Sequence, residues 1–461
     1  MENFTFKLQT DDKKPLYEQL YRHIIGEIET GRLKNGEKLP SKRALCAHLG
    51  ISQSTVETAY GMLTAEGYLR ARAKSGYYVS ADLYRPMSER TPPQPEAPAP
   101  VQTAPRYDFS TGAVDTGVFP YASWARLSRE VVSGNPQLLQ RGEAQGDPAF
   151  RQALAAFLRE YRGVRCQADQ IVVGAGLEYL LNVLVQVLPQ DSVYGLEDPG
   201  YYAAWQVLRN HGRTCRMIPL DDSGLREDKL RESGATVAFV TPSHQFPMGC
   251  TMPVSRRAAL LSWAGEADDR FIVEDDYDSE FRYASRPIPA MQSLDDGGKV
   301  IYVGTFSRSV APSIRVAYLV LPRRLLPVYG QRLGFAASTV SRFEQQTLAA
   351  FIHRGLYARH LRRAANLYRK KQQALLEELE KIPGARVAGA QAGLHFLLTV
   401  PGKAETWLVE RAAAAGVPVR GLSSYCRECP CPESTLVLGF AGLNPEDIPA
   451  AAETLREAFE A

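Results

Sequence analysis

The hydrophobic positions of the first eighty residues fall into three helical stretches followed by one alternating pair. Leu16, Leu20, Ile24 and Ile28 recur every fourth residue after Pro15, a residue suited to a first helical turn. Ser41 follows Pro40 as an N-cap for a short helix carrying Leu45 and Leu49, and Gly50 ends it. Ser52 caps a third helix carrying Val56, Ala59, Tyr60 and Leu63. After Gly67 the period changes: Tyr68 to Val79 alternates around a turn at Lys74-Ser75-Gly76 and predicts a short hairpin. Three helices and a hairpin in that order predict a winged helix-turn-helix over residues 1–85.

Residues 86–106 break all periodicity. Pro92, Pro93, Pro95, Pro98 and Pro100 crowd a stretch with almost no large apolar side chain, which predicts an extended spacer rather than a core. From residue 107 onward, apolar runs alternate with helical patterns. Ile171–Val173, Val237–Val240, Phe271–Val273, Val300–Val303 and Ala317–Leu321 read as buried strands. The rhythm predicts an α/β domain over 107–345 with a mainly parallel sheet covered on both faces. Residues 346–461 mix a long basic helix with short strands and predict a smaller α+β domain. In that helix Arg359, Arg362, Arg363, Arg369, Lys370 and Lys371 read as a solvated face.

Composition adds three constraints. The 461 residues hold 54 Lys+Arg against 51 Asp+Glu, and the whole excess of +3 lies in residues 1–85. That points weakly to nucleic acid. No apolar run reaches the roughly 18 to 20 residues of a membrane span, and the N-terminus has no secretory apolar core. Seven cysteines, an odd number in a long chain, suit reduced thiols in a cytoplasm. Cys426, Cys429 and Cys431 cluster, but no fourth ligand is near, so a coincidental loop cluster is expected rather than zinc.

Duplex recognition needs polar side chains on the first turns of a groove-entering helix and cations for the flanking phosphates. Ser52, Gln53, Ser54, Thr55 and Thr58 open the third helix, and Gln53 suits bidentate pairing with adenine. Ser41, Lys42 and Arg43 open the preceding helix, while Arg70, Arg72 and Lys74 decorate the hairpin. The same features would also describe an ordinary solvated basic face, or a helix-turn-helix used for protein contacts. The runs Pro15-Leu-Tyr-Glu-Gln-Leu-Tyr21, Gly36-Glu-Lys-Leu-Pro-Ser-Lys-Arg43, Ser52-Gln-Ser-Thr-Val-Glu-Thr-Ala-Tyr60 and Ala65-Glu-Gly-Tyr68 resemble the GntR-type winged helix. Gln53 stands where that family often has arginine, which bears on the operator sequence and not on the fold.

In the larger region, three motifs follow strands. Gly174-Ala175-Gly176 lies between a strand and a helix, as a phosphate site or simple packing requires. Glu274-Asp275-Asp276-Tyr277 puts carboxylates just past a buried strand, where open α/β sheets bind ligands and where a solvated acidic loop would also fit. Gly304-Thr305-Phe306-Ser307-Arg308 with Arg315 supplies hydroxyls and cations after another strand. A pyridoxal phosphate site needs these parts: amides and a cation for the phosphate, a carboxylate for the ring nitrogen, and a lysine for the Schiff base.

Supporting runs are Gln145-Gly-Asp-Pro-Ala-Phe-Arg151, Glu197-Asp-Pro-Gly-Tyr201, Thr241-Pro-Ser-His-Gln-Phe-Pro247 and Glu274 to Tyr283. With them, the region from Tyr107 to the end resembles fold-type I aminotransferases, and the two parts together resemble the MocR subfamily of GntR regulators. The resemblance implies that Asp275 faces the ring nitrogen, Tyr277 the ring hydroxyl and Tyr201 the ring face. It implies that Thr305, Ser307 and Arg315 hold the phosphate, with Gly174, Ala175 and Gly176 as its turn. His244 is expected at the border of the site, and Arg420 is a candidate for a substrate carboxylate. Where the family has its Schiff-base lysine, this chain has Arg308, and Ala317 replaces a glycine. A guanidinium stays charged and cannot form the imine, so pyridoxal 5'-phosphate is expected to bind without a covalent bond at best.

These readings converge on a cytoplasmic, homodimeric regulator of double-stranded DNA with a small-molecule effector and no membrane partner. An aminotransferase carrying a DNA-binding appendage is the alternative, and position 308 argues against it.

Overall fold

The computed structural model describes residues 14–80, 105–283 and 288–460, which divide into two compact units at Thr103. Most of the proline-rich spacer expected at 86–106 lies outside the described residues.

The first unit contains α1 (Leu16–Glu29), α2 (Lys42–Leu49), α3 (Gln53–Ala65), β1 (Leu69–Arg72) and β2 (Gly76–Val79). The two strands pair antiparallel, from Leu69 opposite Val79 to Arg72 opposite Gly76. Ser41 Oγ accepts from the Ala44 amide at 3.2 Å and Ser52 Oγ from the Thr55 amide at 3.2 Å, so both serines start helices as their positions predict. Gly50 closes α2 at φ 65°, a left-handed conformation that any Cβ would strain. Leu20, Ile24, Leu45, Val56, Ala59, Tyr60 and Leu63 are fully buried and form one core. The fourth-residue spacing of α1 and the cap of α3 point these side chains at each other.

The second unit is built on an eight-stranded sheet. Its strands are β3 (Ile171–Gly174), β4 (Val193–Asp198), β5 (Thr214–Asp221), β6 (Gly224–Leu225), β7 (Val237–Val240), β8 (Phe271–Asp276), β9 (Val300–Thr305) and β10 (Ala317–Val320). They lie in the order β3-β10-β9-β8-β7-β4-β5-β6. Neighbours from β9 to β5 are parallel, whereas β10 is antiparallel to both β3 and β9, and β6 to β5. Helices α4 (Tyr121–Gly134), α5 (Pro148–Arg162) and α6 (Leu177–Val187) are among those covering it. Strands β3, β7 and β8 are buried along their whole length, as a sheet covered on both faces demands. The sheet therefore delivers Thr241, Glu274–Asp276 and Thr305 to one edge, the carboxyl ends of its parallel strands.

A second, four-stranded antiparallel sheet joins β11 (Arg386–Ala388), β12 (His395–Thr399), β13 (Arg420–Gly421) and β14 (Thr435–Gly439) in the order β11-β12-β14-β13. The helices Leu356–Leu379 and Ile448–Glu460 pack on it. Phe109 and Val118, from the segment that follows the spacer, are buried in that same core. Arg359, Arg362, Arg363, Arg369 and Lys370 are exposed as expected. Lys371 is not. Its Nζ is drawn inward to Asp115 Oδ2 at 2.5 Å and to the Ala441 carbonyl at 2.9 Å. The expectation of reduced thiols throughout is also corrected: Cys426 and Cys431 are joined as a disulfide, while Cys46, Cys166, Cys215, Cys250 and Cys429 are free. Among the described residues no helix is long and apolar enough to cross a membrane.

Candidate ligand pocket and nucleic-acid face

At the carboxyl edge of the large sheet lies a cavity of about 510 Å³. Tyr201, Asp275, Tyr277, Thr305, Ser307, Arg308 and Arg315 all line it, residues separated by up to 114 positions in sequence and gathered by the strand ends. Arg420 reaches the same cavity from the small sheet. Ser110, Thr111 and Gly112 also line it, and sequence reasoning missed them because nothing in that irregular segment signals a site.

Asp275, the penultimate residue of β8, lies on the cavity wall, 5% exposed, and its carboxyl makes no hydrogen bond among the described residues. Burial pushes its carboxyl up to about 8, helped by the charges of Asp276, Asp278 and Glu197 and opposed by Arg308. A buried carboxyl without a partner, aimed into a cavity, is suited to a ligand cation such as a protonated ring nitrogen. Behind it Asp276 takes the opposite course. Burial alone would raise Asp276, but Arg162 at 2.7 Å and the Tyr302 hydroxyl at 2.5 Å outweigh it and hold the group low. Two adjacent carboxyls thus differ in charge because one has an arginine and the other does not.

That difference has a measurable sign. Folded Asp275 keeps a proton that the unfolded chain releases near 3.8, so its stabilising contribution is complete at low pH and is lost as pH rises to about 8. Asp275→Asn should flatten this dependence. Between pH 5 and 8 the urea-unfolding free energy of the unsubstituted chain is expected to fall by about 4 kcal/mol more than that of the variant. Parallel pH profiles would remove Asp275 as the source.

Tyr277 Oη is 3.0 Å from His244 Nδ1, and burial raises its hydroxyl well above the ordinary range. His244 does not border the cavity. It is 1% exposed, with Nδ1 also 3.0 Å from Asp278, and it stands behind Tyr277 as its partner. The glycine turn is likewise displaced from its expected role. The Ala175 amide is committed to Thr339 Oγ1 at 3.0 Å and the Gly176 amide to the Gly174 carbonyl at 2.9 Å, and the cavity wall begins at Leu177 and Glu178. Gly176, at φ 94°, instead leaves room for Arg315, whose guanidinium would collide with any Cβ placed there. Thr305 Oγ1 and Ser307 Oγ lie 3.0 Å apart. Arg308 is half-buried and makes no hydrogen bond or ion pair among the described residues. Among the described residues no lysine lines the cavity. Lys299 is spent on the carbonyls of Ala267 and Asp268, at the opposite edge of the sheet.

Asp275, Thr305, Ser307 and Arg315 are the groups that could hold the ring nitrogen and phosphate of pyridoxal 5'-phosphate, but no described amine faces its aldehyde, the Ala175 and Gly176 amides are already bonded, and Arg315 is paired with Glu178.

On the first unit, Arg43, Gln53, Ser54, Thr58, Arg70, Arg72 and Lys74 are exposed. Ser41 and Ser52 spend their hydroxyls on capping, and Thr55 shares its own with Ser52 at 2.8 Å. Lys42 is turned aside: it pairs with Glu57 at 3.2 Å and lies 5.6 Å over the Tyr77 ring. Glu57, overlooked in the sequence, also accepts from Gln53 at 3.1 Å and so holds two candidate contacts at once. Arg72 is stacked 4.6 Å over Tyr78, which stiffens a hairpin cation without hiding it.

Comparisons with known proteins agree with both halves. Residues 16–79 match the family "Bacterial regulatory proteins, gntR family", and residues 107–455 match "Aminotransferase class I and II". The chain is 39% identical to the "Uncharacterized HTH-type transcriptional regulator YdeL" of Bacillus subtilis (strain 168), over 97% of each chain. It is 34% identical to the "Probable rhizopine catabolism regulatory protein MocR" of Rhizobium meliloti, over 98% of this chain and 95% of that one. Among solved structures, an archaeal alanine:glyoxylate aminotransferase superposes with a TM-score of 0.70 at 25% identity, covering 77% of this chain and 90% of its own. An aminotransferase fold and a winged helix, matched together along almost the full length of relatives that carry both, leave one assignment: the chain belongs to the MocR-type branch of the GntR family of transcriptional regulators.

Proposed function

We propose that this DNA-binding regulator uses its aminotransferase-like unit as a ligand sensor that has given up covalent catalysis. The observation that carries the reading is Arg308, a guanidinium that has no partner among the described residues, in a cavity that none of the described lysines lines. Pyridoxal 5'-phosphate, when bound, supplies an electron-withdrawing ring whose chemistry on amino acids requires a lysine for attachment and proton transfer. In this chain Asp275 would hold the ring nitrogen, Tyr277 the ring hydroxyl and Tyr201 the ring face. Thr305, Ser307 and Arg315 would hold the phosphate. The guanidinium of Arg308 would bind an anionic group of the ligand instead of forming an imine. The alternative, an aminotransferase with a DNA-binding appendage, has no residue on the cavity wall to perform the attachment step.

The chain acts as a homodimer in this reading, with two copies of α3 in successive major-groove half-sites. Arg43, Gln53, Ser54, Thr58, Arg72 and Lys74 supply the contacts, and Ser41, Ser52 and Thr55 supply the helix starts that present them. Pocket occupancy shifts the population of dimers whose half-site spacing fits the operator. The test is anisotropy of a labelled promoter duplex bound by the full chain, with and without pyridoxal 5'-phosphate or amino acids. A ligand-dependent change in affinity of about 5- to 150-fold is expected, the usual range for coupled sites. An affinity that no pocket ligand moves defeats the sensor reading.

A further inference from the structure

One guanidinium of the cavity wall is already paired with a side chain of the protein itself. Glu178 is the second residue of α6, and its Oε2 lies 2.8 Å from Arg315 Nη2. Its carboxylate is also hydrogen-bonded to its own backbone amide and to Tyr201. Glu178, Arg315 and Tyr201 line the same cavity as the partnerless carboxyl of Asp275. Arg315 is half-exposed, and one face of its guanidinium is packed over the Cα of Gly176. Burial alone would raise the Glu178 carboxyl, but the bonds from Arg315 and its own amide outweigh it and keep the group ionised.

A phosphate dianion placed here would compete for the same donors, the Arg315 guanidinium and the Glu178 amide. Two anions cannot share them without strong repulsion. We propose that Glu178 is a resident competitor for the anion seat and makes the pocket select against phosphate-bearing ligands. This rests on the reading of the cavity as the sensor's ligand site. A phosphate enters only by breaking the Glu178–Arg315 pair and turning the carboxylate away. A ligand whose negative group is a carboxylate directed at Arg308 leaves that pair intact. Specificity is therefore set by a side chain absent from the expected phosphate cup, and it favours small carboxylates over phosphate esters.

The test compares inorganic phosphate, pyridoxal 5'-phosphate and pyridoxal, each titrated calorimetrically into the full chain and into its Glu178→Gln and Glu178→Ala variants. Both variants are expected to bind the two phosphate-bearing probes about tenfold more tightly, with pyridoxal changed by less than about twofold. Adding Arg315→Gln to Glu178→Gln should abolish the gain, since the competitor and the seat then disappear together. Unchanged or weaker phosphate binding by both variants overturns the proposal. So does an equal gain for pyridoxal, which would mean a generally looser pocket. If pyridoxal binds no form, the pyridoxal reading of the cavity falls, and the inorganic phosphate arm still decides the role of Glu178.

Discussion

Arg308→Lys is expected to make the chain retain pyridoxal 5'-phosphate through exhaustive dialysis and to give it a visible absorbance band, while the unsubstituted chain does neither. The change in retained cofactor should be on the order of tenfold or more, because a covalent bond replaces contacts that exchange freely. The physical case rests on what surrounds the position. Arg308 lines the cavity with Asp275, Tyr277 and Tyr201, and its charge is felt at all three. A lysine there would stand in a half-buried, hydroxyl-rich setting, which favours the neutral amine that attacks an aldehyde. Retention by the variant would show that the other cofactor contacts are intact and that one side chain separates this pocket from a covalent one. If neither form retains the cofactor, the pocket has turned to another ligand. The cofactor assignments for Asp275, Tyr277, Thr305 and Ser307 then fall, and the DNA-binding assignment stands.

The second large effect is in DNA binding. Each copy of the first unit exposes Arg43, Arg70, Arg72 and Lys74, so the proposed homodimer would bring eight such cations to the duplex. Neutralising that many phosphates releases as many counterions. Affinity for a promoter duplex is therefore expected to fall about 1,000-fold or more between 50 and 200 mM salt. Arg72→Ala should lower the slope of that dependence by about one unit for each phosphate no longer neutralised, and Gln53→Ala should change sequence preference while leaving the slope alone. A flat salt response would mean that the helix-turn-helix works through protein contacts.

Much of this architecture was legible in the sequence, for reasons that differ by element. The caps Ser41 and Ser52, the glycine at 50 and the fourth-residue spacing of α1 are local signals, and each helix starts where they place it. Strands β3, β7, β8, β9 and β10 were readable because burial on both faces leaves uninterrupted apolar runs. Strands β4 and β5 escaped notice for the opposite reason. β4 carries Gly195, where a Cβ would come within 2.7 Å of Leu230, and ends in Glu197 and Asp198. β5 is only partly buried and contains Arg216 and Pro219. In the pocket, residues lying just past strand ends were recoverable, since sheet topology brings strand ends together. What the sequence withheld was pairing: that Glu57 would engage Lys42 and Gln53, that Glu178 would take Arg315, and that His244 would stand behind Tyr277 rather than beside a ligand. An acidic residue on a helix surface looks the same in sequence whether it meets water or an arginine.

The segment just after the spacer has a mechanical meaning. The Arg106 amide is tied to the Gly416 carbonyl at 2.9 Å, and a few residues later Ser110, Thr111 and Gly112 form part of the pocket wall. Asp115 then anchors the strand of chain to Lys371. The first described residues of the second unit therefore run along the wall of the cavity. A ligand that presses on this wall acts on a short, doubly pinned length of backbone, and the slack available to absorb the push is only a handful of residues.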